Sequence, residues 1–146
     1  MFARRQRREA VTQAEQRGFS NAIDLVMAME SSSFRDLTHT VSARLGALRA
    51  GRPELMKSFG ELGRAALSDG ALDKKTKELI ALALGVAARC DPCIGYHMQA
   101  LVKLGVTRAE VDETLGVAVY MGGGPSLMYA ASALAAFDEF SLKTPA

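Results

Sequence analysis

Apolar residues recur at helical spacing along almost the whole chain, whereas alternating apolar and polar residues never persist long enough to predict a strand. We therefore expect an all-α fold made of one helical domain, with two helical hairpins that follow N-terminal helices. The predicted hairpins pair residues 73–89 with 92–104 and residues 108–121 with 125–140. The other predicted helices cover residues 4–16, 21–30, 34–50 and 53–67.

Local signals mark the ends of several of these helices. Asp73 is a suitable N-cap, and Thr107 with Glu110 has the spacing of a capping box. Gly105 is expected to end the helix before it. Residues 121–126, MGGGPS, combine three glycines with a proline that can start a helix, so they predict a structural break and not a phosphate-binding loop.

Two segments carry more apolar residues than one helix face can hold. Residues 79–88, LIALALGVAA, are apolar on every side, and residues 127–140 are nearly so. One small domain cannot cover both, so we expect an obligate homo-oligomer. In the helix that begins at Pro53 we expect a buried stripe formed by Leu55, Met56, Phe59, Leu62 and Leu67.

Composition favours an ordinary soluble protein. The chain has 146 residues, of which 49% are apolar and 23% charged, so it can bury a core without a disulfide or metal to hold it together. It contains no run of 18 uncharged apolar residues, so no membrane span is predicted. No apolar stretch follows the N-terminal arginines either, as it would in a secretory signal, and we expect a cytoplasmic protein.

Residues 1–30 form a basic N-terminal extension, distinct from the helical domain predicted over residues 31–146. The first 17 residues hold five arginines against Glu9 and Glu15, a charge of +3, which leaves −1 for the rest of the net +2. Such an arm could contact nucleic acid or an anionic membrane. We favour a solvated terminal helix, because no aromatic residues are interleaved to stack on bases.

The segment CDPCIGYH, residues 90–97, holds both cysteines and one of the two histidines. With Asp91 as N-cap and Pro92 at the first helical position, Cys93 falls in the first turn of a helix, where the positive end of the macrodipole favours a thiolate. His97 lies one turn further on the same face and can carry the thiol proton. In a reducing compartment this pattern indicates a reactive pair more than a permanent crosslink.

The same residues admit other interpretations. Cys90, Cys93 and His97, joined by an acid such as Glu78, could bind zinc, but a structural zinc site usually draws a second ligand pair from elsewhere and the chain has no second cluster. His97 could also be satisfied by a backbone carbonyl, and Glu78 could simply complement a helix dipole. We predict no metal and no cofactor.

The stretch from LDKKTKELIALALGVAARCDPCIGYH to MGGGP, followed by YAASALAAF, resembles the alkylhydroperoxidase D-like and carboxymuconolactone decarboxylase superfamily. Its motif sets a glutamate twelve residues before C-x-x-C-x-x-x-H, and Glu78, Cys90, Cys93 and His97 occupy those places. The resemblance covers residues 72–137 strongly and 53–71 more weakly. It implies a helical trimer or hexamer with active sites near subunit contacts.

The resemblance also implies a chemistry. Cys93 would attack a peroxide, Cys90 would resolve the sulfenic acid as a disulfide, and Glu78 with His97 would relay protons; the electron donor would be a dithiol not yet identified. The corresponding motif of the best-known peroxidase members is similar to C-x-H-C, and Pro92 of this chain stands in place of that histidine. The alternatives are a decarboxylase-like enzyme and a helical oligomer that senses redox state without turnover.

The predicted helices leave a gap within this motif. Glu78 precedes Cys90 by twelve residues, which is roughly 18 Å of rise on a straight helix. A simple hairpin return to His97 recovers only part of that distance. Either the helices cross or bend, or the contact comes from another chain.

Overall fold

The structure is a computed structural model that describes residues 33–142. Within that range it contains helices and no strand, which confirms the predicted all-α fold. The helices are α1 (Phe34–Gly51), α2 (Pro53–Ala66), α3 (Lys74–Ala87), α4 (Asp91–Lys103) and α5 (Arg108–Ser141). The helices predicted over residues 4–16 and 21–30, and with them the basic extension, lie outside the described residues.

The core lies where α3, α4 and α5 pack against one another. Each helix contributes fully buried aliphatic side chains, and each such side chain contributes roughly 1.5–3 kcal/mol by leaving water. The largest of these fully buried side chains are Leu82, Val86, Ile94, Met98, Leu101 and Val111. Helices α3 and α4 carry the motif residues, and α5 packs against both. These three helices therefore form the best-packed part of the described chain.

The predicted N-caps of α3 and α5 are confirmed. Asp73 Oδ1 accepts the backbone N–H of Thr76 at 2.7 Å, which satisfies one of the free donors of α3. At the start of α5, Thr107 Oγ1 accepts the N–H of Glu110 at 3.2 Å. The carboxylate of Glu110 in turn accepts the N–H of Thr107 at 2.7 Å, completing the capping box.

Glu110 also joins two helices. Lys75 Nζ, in the first turn of α3, donates to Glu110 Oε1 at 2.7 Å. This hydrogen bond and those from Thr107 lower the pKa of the Glu110 carboxyl from 4.5 to about 2. One carboxylate thus caps its own helix and holds the start of α3 beside it.

The predicted break in the MGGGP segment is present, because α5 folds back on itself at Gly123. This residue has φ 66° and ψ −154°, a conformation open essentially to glycine alone. Arg108 Nη1 lies 3.1 Å from Asp138 Oδ1, although 30 residues of straight helix would separate them by about 45 Å. Residues 108–122 and 124–141 are therefore the arms of a hairpin, and α3 with α4 forms the other predicted hairpin.

Helix α1 is attached to this body through its N-terminal half. Glu139 accepts the backbone N–H of Phe34 at 2.8 Å and that of Arg35 at 3.0 Å, so a carboxylate from the end of α5 caps the start of α1. Further along α1, Tyr96 of α4 donates its O–H to the carbonyl of Thr38 at 2.9 Å. These contacts join α1 to residues 58 or more positions away along the chain, and no local signal predicts them.

The prediction of a buried stripe on α2 is wrong for the described chain. No residue of α2 is buried, and Leu55, Phe59 and Leu62 are all more than half exposed. Helical spacing identifies which face is apolar, but it does not determine what covers that face. The main neighbour of α2 among the described helices is α1, which leaves the apolar face uncovered.

Among the described helices, none is both long enough and apolar enough to cross a membrane.

Candidate functional site

The connection between α3 and α4 places the two cysteines. At the end of α3 the Cys90 N–H donates to the Gly85 carbonyl at 3.0 Å, and the Arg89 N–H donates to the Val86 carbonyl at 3.1 Å. This pair of bonds is a Schellman motif, whose key position is usually glycine. Here Arg89 occupies it with φ 56°. The chain consequently reverses within a few residues, and Cys90 arrives directly at the start of α4.

The N-cap of α4 is Cys90 and not Asp91 as the sequence had suggested. Cys90 keeps a non-helical backbone after the reversal, whereas Asp91 is already the first helical residue. The Sγ of Cys90 takes the place of a capping oxygen and accepts the N–H of Cys93 at 3.3 Å. Cys93 still falls in the first turn, so both sulfur atoms lie at the positive end of α4.

Cys90 and Cys93 are joined by a disulfide, with 5.2 Å between their Cα atoms. Both residues are partly exposed. Behind them, Gly85 of α3 packs against the motif: a methyl group added at Gly85 would lie 3.4 Å from Cys93 Cβ and 3.6 Å from the Ile94 nitrogen. The pair is thus supported by α3 on one side and partly open to solvent.

Glu78 and His97 meet within one chain. Oε2 of Glu78 lies 2.7 Å from Nδ1 of His97, which answers the question left by the helical rise. Helices α3 and α4 pack so closely that the side chains of Glu78 and His97 reach each other, although the two residues are offset along the helix axes. Glu78 is 4% exposed, and the imidazole is partly exposed. Such a carboxylate fixes the orientation of the ring and leaves Nε2 as the nitrogen available to a reacting group.

The structure therefore brings the motif residues into one region. Cys90 is the N-cap of α4, Cys93 and His97 lie in its first two turns, and Glu78 contacts His97 from α3. Within residues 33–142 no group of three or more His, Cys, Asp or Glu side chains is arranged to hold a metal ion. A cysteine disulfide beside a carboxylate and imidazole pair can perform thiol–disulfide exchange coupled to proton transfer.

Sequence reasoning missed two residues that shape this region. Gly85 interrupts an otherwise apolar helical run, and an isolated glycine there is a signal of close approach that could have been used. No sequence signal marks Arg89. A non-glycine residue in the left-handed region is uncommon, and no pattern in the sequence predicts that conformation here.

Comparison with known proteins agrees with the motif. Residues 53–136 match the carboxymuconolactone decarboxylase family. An uncharacterised protein of Cupriavidus necator is 41% identical over 101 residues, which cover 69% of this chain and 89% of that protein. A second uncharacterised relative, from the cox locus of Paracoccus denitrificans, is 36% identical over 98 residues, covering 67% of this chain and 88% of that one.

Two solved structures share the fold. A carboxymuconolactone decarboxylase family protein from Legionella pneumophila has 61% identity and a TM-score of 0.75, covering 77% of this chain and all of that one. A Thermotoga maritima member, whose description raises involvement in the antioxidative response as a possibility, has 36% identity and a TM-score of 0.55, covering 57% of this chain and 87% of that one. The chain thus belongs to the carboxymuconolactone decarboxylase family.

Proposed function

We propose that this protein is a thiol-dependent peroxide reductase that cycles between a Cys90–Cys93 dithiol and a disulfide. The observation that carries the proposal is the disulfide at the start of α4, one helical turn from an imidazole already paired with a buried carboxylate. The antioxidative involvement suggested for the Thermotoga maritima relative supports it. A decarboxylase would have no need for two cysteines in this arrangement.

In the first step the Cys93 thiolate attacks one oxygen of a hydroperoxide. An S–O bond forms and the O–O bond breaks, which gives Cys93 sulfenic acid and an alkoxide that takes up a proton to leave as an alcohol, or as water from hydrogen peroxide. The sulfur is oxidised by two electrons and the peroxide is reduced by two. The position of Cys93 in the first turn of α4 favours the thiolate that this step requires.

In the second step Cys90 attacks the sulfenic acid of Cys93. The S–S bond forms, the S–O bond breaks, and the hydroxyl leaves with a proton as water. An external dithiol then reduces the disulfide by two successive exchanges and becomes a disulfide itself. The capping position of Cys90, whose Sγ accepts the Cys93 N–H, holds the resolving sulfur beside the sulfur that it must reach.

Proton transfer in this scheme belongs to His97 and Glu78. His97 accepts the proton of the Cys93 thiol and returns it to the departing alkoxide, while Glu78 holds the ring in its orientation. Pro92 occupies the position at which the motif of the better-known peroxidase members has a histidine. The relay proposed here therefore depends on His97 and Glu78. We further propose that the protein works in the cytoplasm, as a homo-oligomer of three or six copies, and that its dithiol donor keeps the pair reduced between turnovers.

The test is a turnover assay with hydrogen peroxide and, separately, an organic hydroperoxide, each with dithiothreitol as donor. We expect many equivalents of peroxide to be consumed per protein, and none beyond background in a Cys90→Ser/Cys93→Ser variant. Consumption of a single equivalent followed by a stable disulfide would overturn the proposal in favour of redox sensing. Absence of any cysteine-dependent consumption would overturn it as well.

A further inference from the structure

Helix α2 presents an apolar face that nothing in the described chain covers. Leu55, Phe59 and Leu62 follow one another at spacings of four and three residues and so share one side of the helix, and Phe59 is 70% exposed. The charged residues of α2 lie on other sides; they are Glu54, Lys57, Glu61 and Arg64. We call the side formed by Leu55, Phe59 and Leu62 the α2 face.

A second uncovered apolar surface lies between α3 and the first arm of α5. It is an open groove of about 400 Å³ whose lining contains no charged residue: Thr76, Leu79, Ile80, Ala83, Leu84, Thr114 and Val117. Leu84 is 63% exposed and Val117 62% exposed. We call this surface the α3–α5 groove. Apart from Thr76, its α3 side belongs to the segment 79–88, which is apolar all round and requires a cover.

The two surfaces share the same chemistry, because both are apolar and uncharged. Their most exposed members, three on the α2 face and Ile80, Leu84 and Val117 in the groove, together leave on the order of 500 Å² of apolar area in water. That is most of the apolar area expected in a specific interface of about 1,200 Å² in total. Because neither surface carries a charge, joining them desolvates no ion.

We propose that the α2 face of one copy of this chain seats in the α3–α5 groove of a second copy. Every copy carries both the α2 face and the α3–α5 groove. When the same contact is repeated from copy to copy, it covers both surfaces. A helix that inserts into a groove elsewhere on the neighbour is a head-to-tail contact, which closes into a ring when the rotation allows it. The interface thereby also covers the outer side of α3, the helix whose inner side holds Glu78.

The first test changes each surface separately. Phe59→Asp places a charge on the α2 face, and Leu84→Asp places one in the groove, while Lys57→Asp changes charge on another side of α2 and serves as the control. Sedimentation equilibrium should show that the first two variants dissociate at concentrations at least 100-fold higher than the parent and the control do. Circular dichroism establishes that the variants keep their helices. A monomeric parent, or a Phe59→Asp variant that assembles normally, would overturn the proposal.

The second test mixes the two variants. The Phe59→Asp protein keeps an intact groove and the Leu84→Asp protein keeps an intact α2 face, so together they can form one productive contact and no more. We expect a 1:1 complex on mixing, detected by light scattering, although each variant alone stays monomeric. If the mixture stays monomeric, the α2 face does not bind the groove. A Leu84→Asp variant that assembles like the parent would show instead that the groove is not part of the interface between copies, for example because residues 1–32 of the same chain occupy it.

Discussion

Glu78 and His97 share a hydrogen bond of 2.7 Å between Oε2 and Nδ1, although 19 residues separate them along the chain. The carboxylate is buried and the imidazole is partly exposed. The bond therefore links an acid inside the helix pair to a ring that a solvent-side reactant can reach. This arrangement gives one pair of side chains a role in stability and, in the proposed reaction, a role in proton transfer.

Replacing His97 by alanine should affect both roles. It leaves the buried Glu78 carboxylate without its partner, and we expect a loss of about 1–3 kcal/mol in the free energy of unfolding at pH 7. Peroxide turnover should fall by about 100-fold. Urea denaturation and the turnover assay measure the two effects. In the Glu78→Gln/His97→Ala double variant the stability loss should be smaller than the sum of the single losses; additive losses would contradict a direct interaction.

The two sulfur atoms should differ in reaction although both lie at the positive end of α4. We expect Cys93→Ser to abolish peroxide reduction, because it removes the thiol one turn from His97. Cys90→Ser should permit one oxidation and stop at the sulfenic acid, since no resolving thiol remains. The measurements are alkylation rate against pH for each single-cysteine variant and trapping of sulfenic acid after one equivalent of peroxide. Faster alkylation of Cys90 near neutral pH, with the acid trapped on Cys90, would reverse the roles.

Acid should weaken the contact between α3 and α5 in a defined range of pH. The folded pKa of Glu110 is about 2, below the ordinary 4.5, because Lys75 and Thr107 bond to its carboxylate. Since the unfolded chain binds the proton first, the contribution of Glu110 to stability is complete above pH 4.5 and is lost as pH falls toward 2. Glu110→Gln should flatten the stability curve in this range, as followed by urea denaturation. Glu113→Gln, on an exposed residue of the same helix, should leave the curve unchanged.

Arg89 should be replaceable by glycine with a gain in stability. Its φ of 56° lies in the left-handed region, which disfavours side chains with a Cβ atom. Glycine also has more conformational entropy in the unfolded chain, which offsets part of the gain from relieving this strain. We therefore expect Arg89→Gly to raise the free energy of unfolding by about 0.5–1 kcal/mol, as measured by thermal and urea unfolding. Ala88→Gly is the matched control, because Ala88 has ordinary right-handed helical angles and should lose stability. A loss at Arg89 would show that its side chain supports the fold.

Valine at position 123 should damage the second hairpin. A β-branched residue cannot adopt φ 66° and ψ −154° without strain, and we expect a loss of about 2–3 kcal/mol together with impaired assembly. Gly116→Ala is the control: Gly116 lies within the first arm of α5, an added Cβ there would meet nothing within 4 Å, and alanine should stabilise by up to about 1 kcal/mol. Unfolding curves and sedimentation report the two effects. A Gly123→Val protein as stable as the parent would show that the turn does not need glycine.

Features set by neighbouring residues could be predicted from the sequence. The caps at Asp73 and Thr107 depend on a side chain and a backbone N–H three residues away, and the break at Gly123 depends on conformational freedom that the residue type itself determines. The pairing of Cys93 with His97 could be predicted for the same reason, because helical spacing brings both residues to one face, whereas the relay role of Glu78 was expected only from the family resemblance.

Features that depend on distant parts of the chain could not be predicted in this way. Glu139 caps α1 from 105 residues away, and the exposure of Phe59 depends on what the rest of the molecule leaves uncovered. The contact between Glu78 and His97 depends on how closely α3 and α4 pack, for which a count of helical rise gives no answer. Such features require knowledge of the packing as well as of the pattern.

Gly85 lies behind Cys93, and the size of the residue at this position sets how closely α3 and α4 can approach each other. A methyl group at Gly85 would meet Cys93 Cβ at 3.4 Å, near the limit of ordinary contact. Alanine would fit with little displacement, whereas serine or valine would push α4 outward and carry both sulfurs and His97 with it, away from the fixed carboxylate of Glu78. A graded series at this one position would therefore tune the distance between the acid and the imidazole without replacing any reacting group.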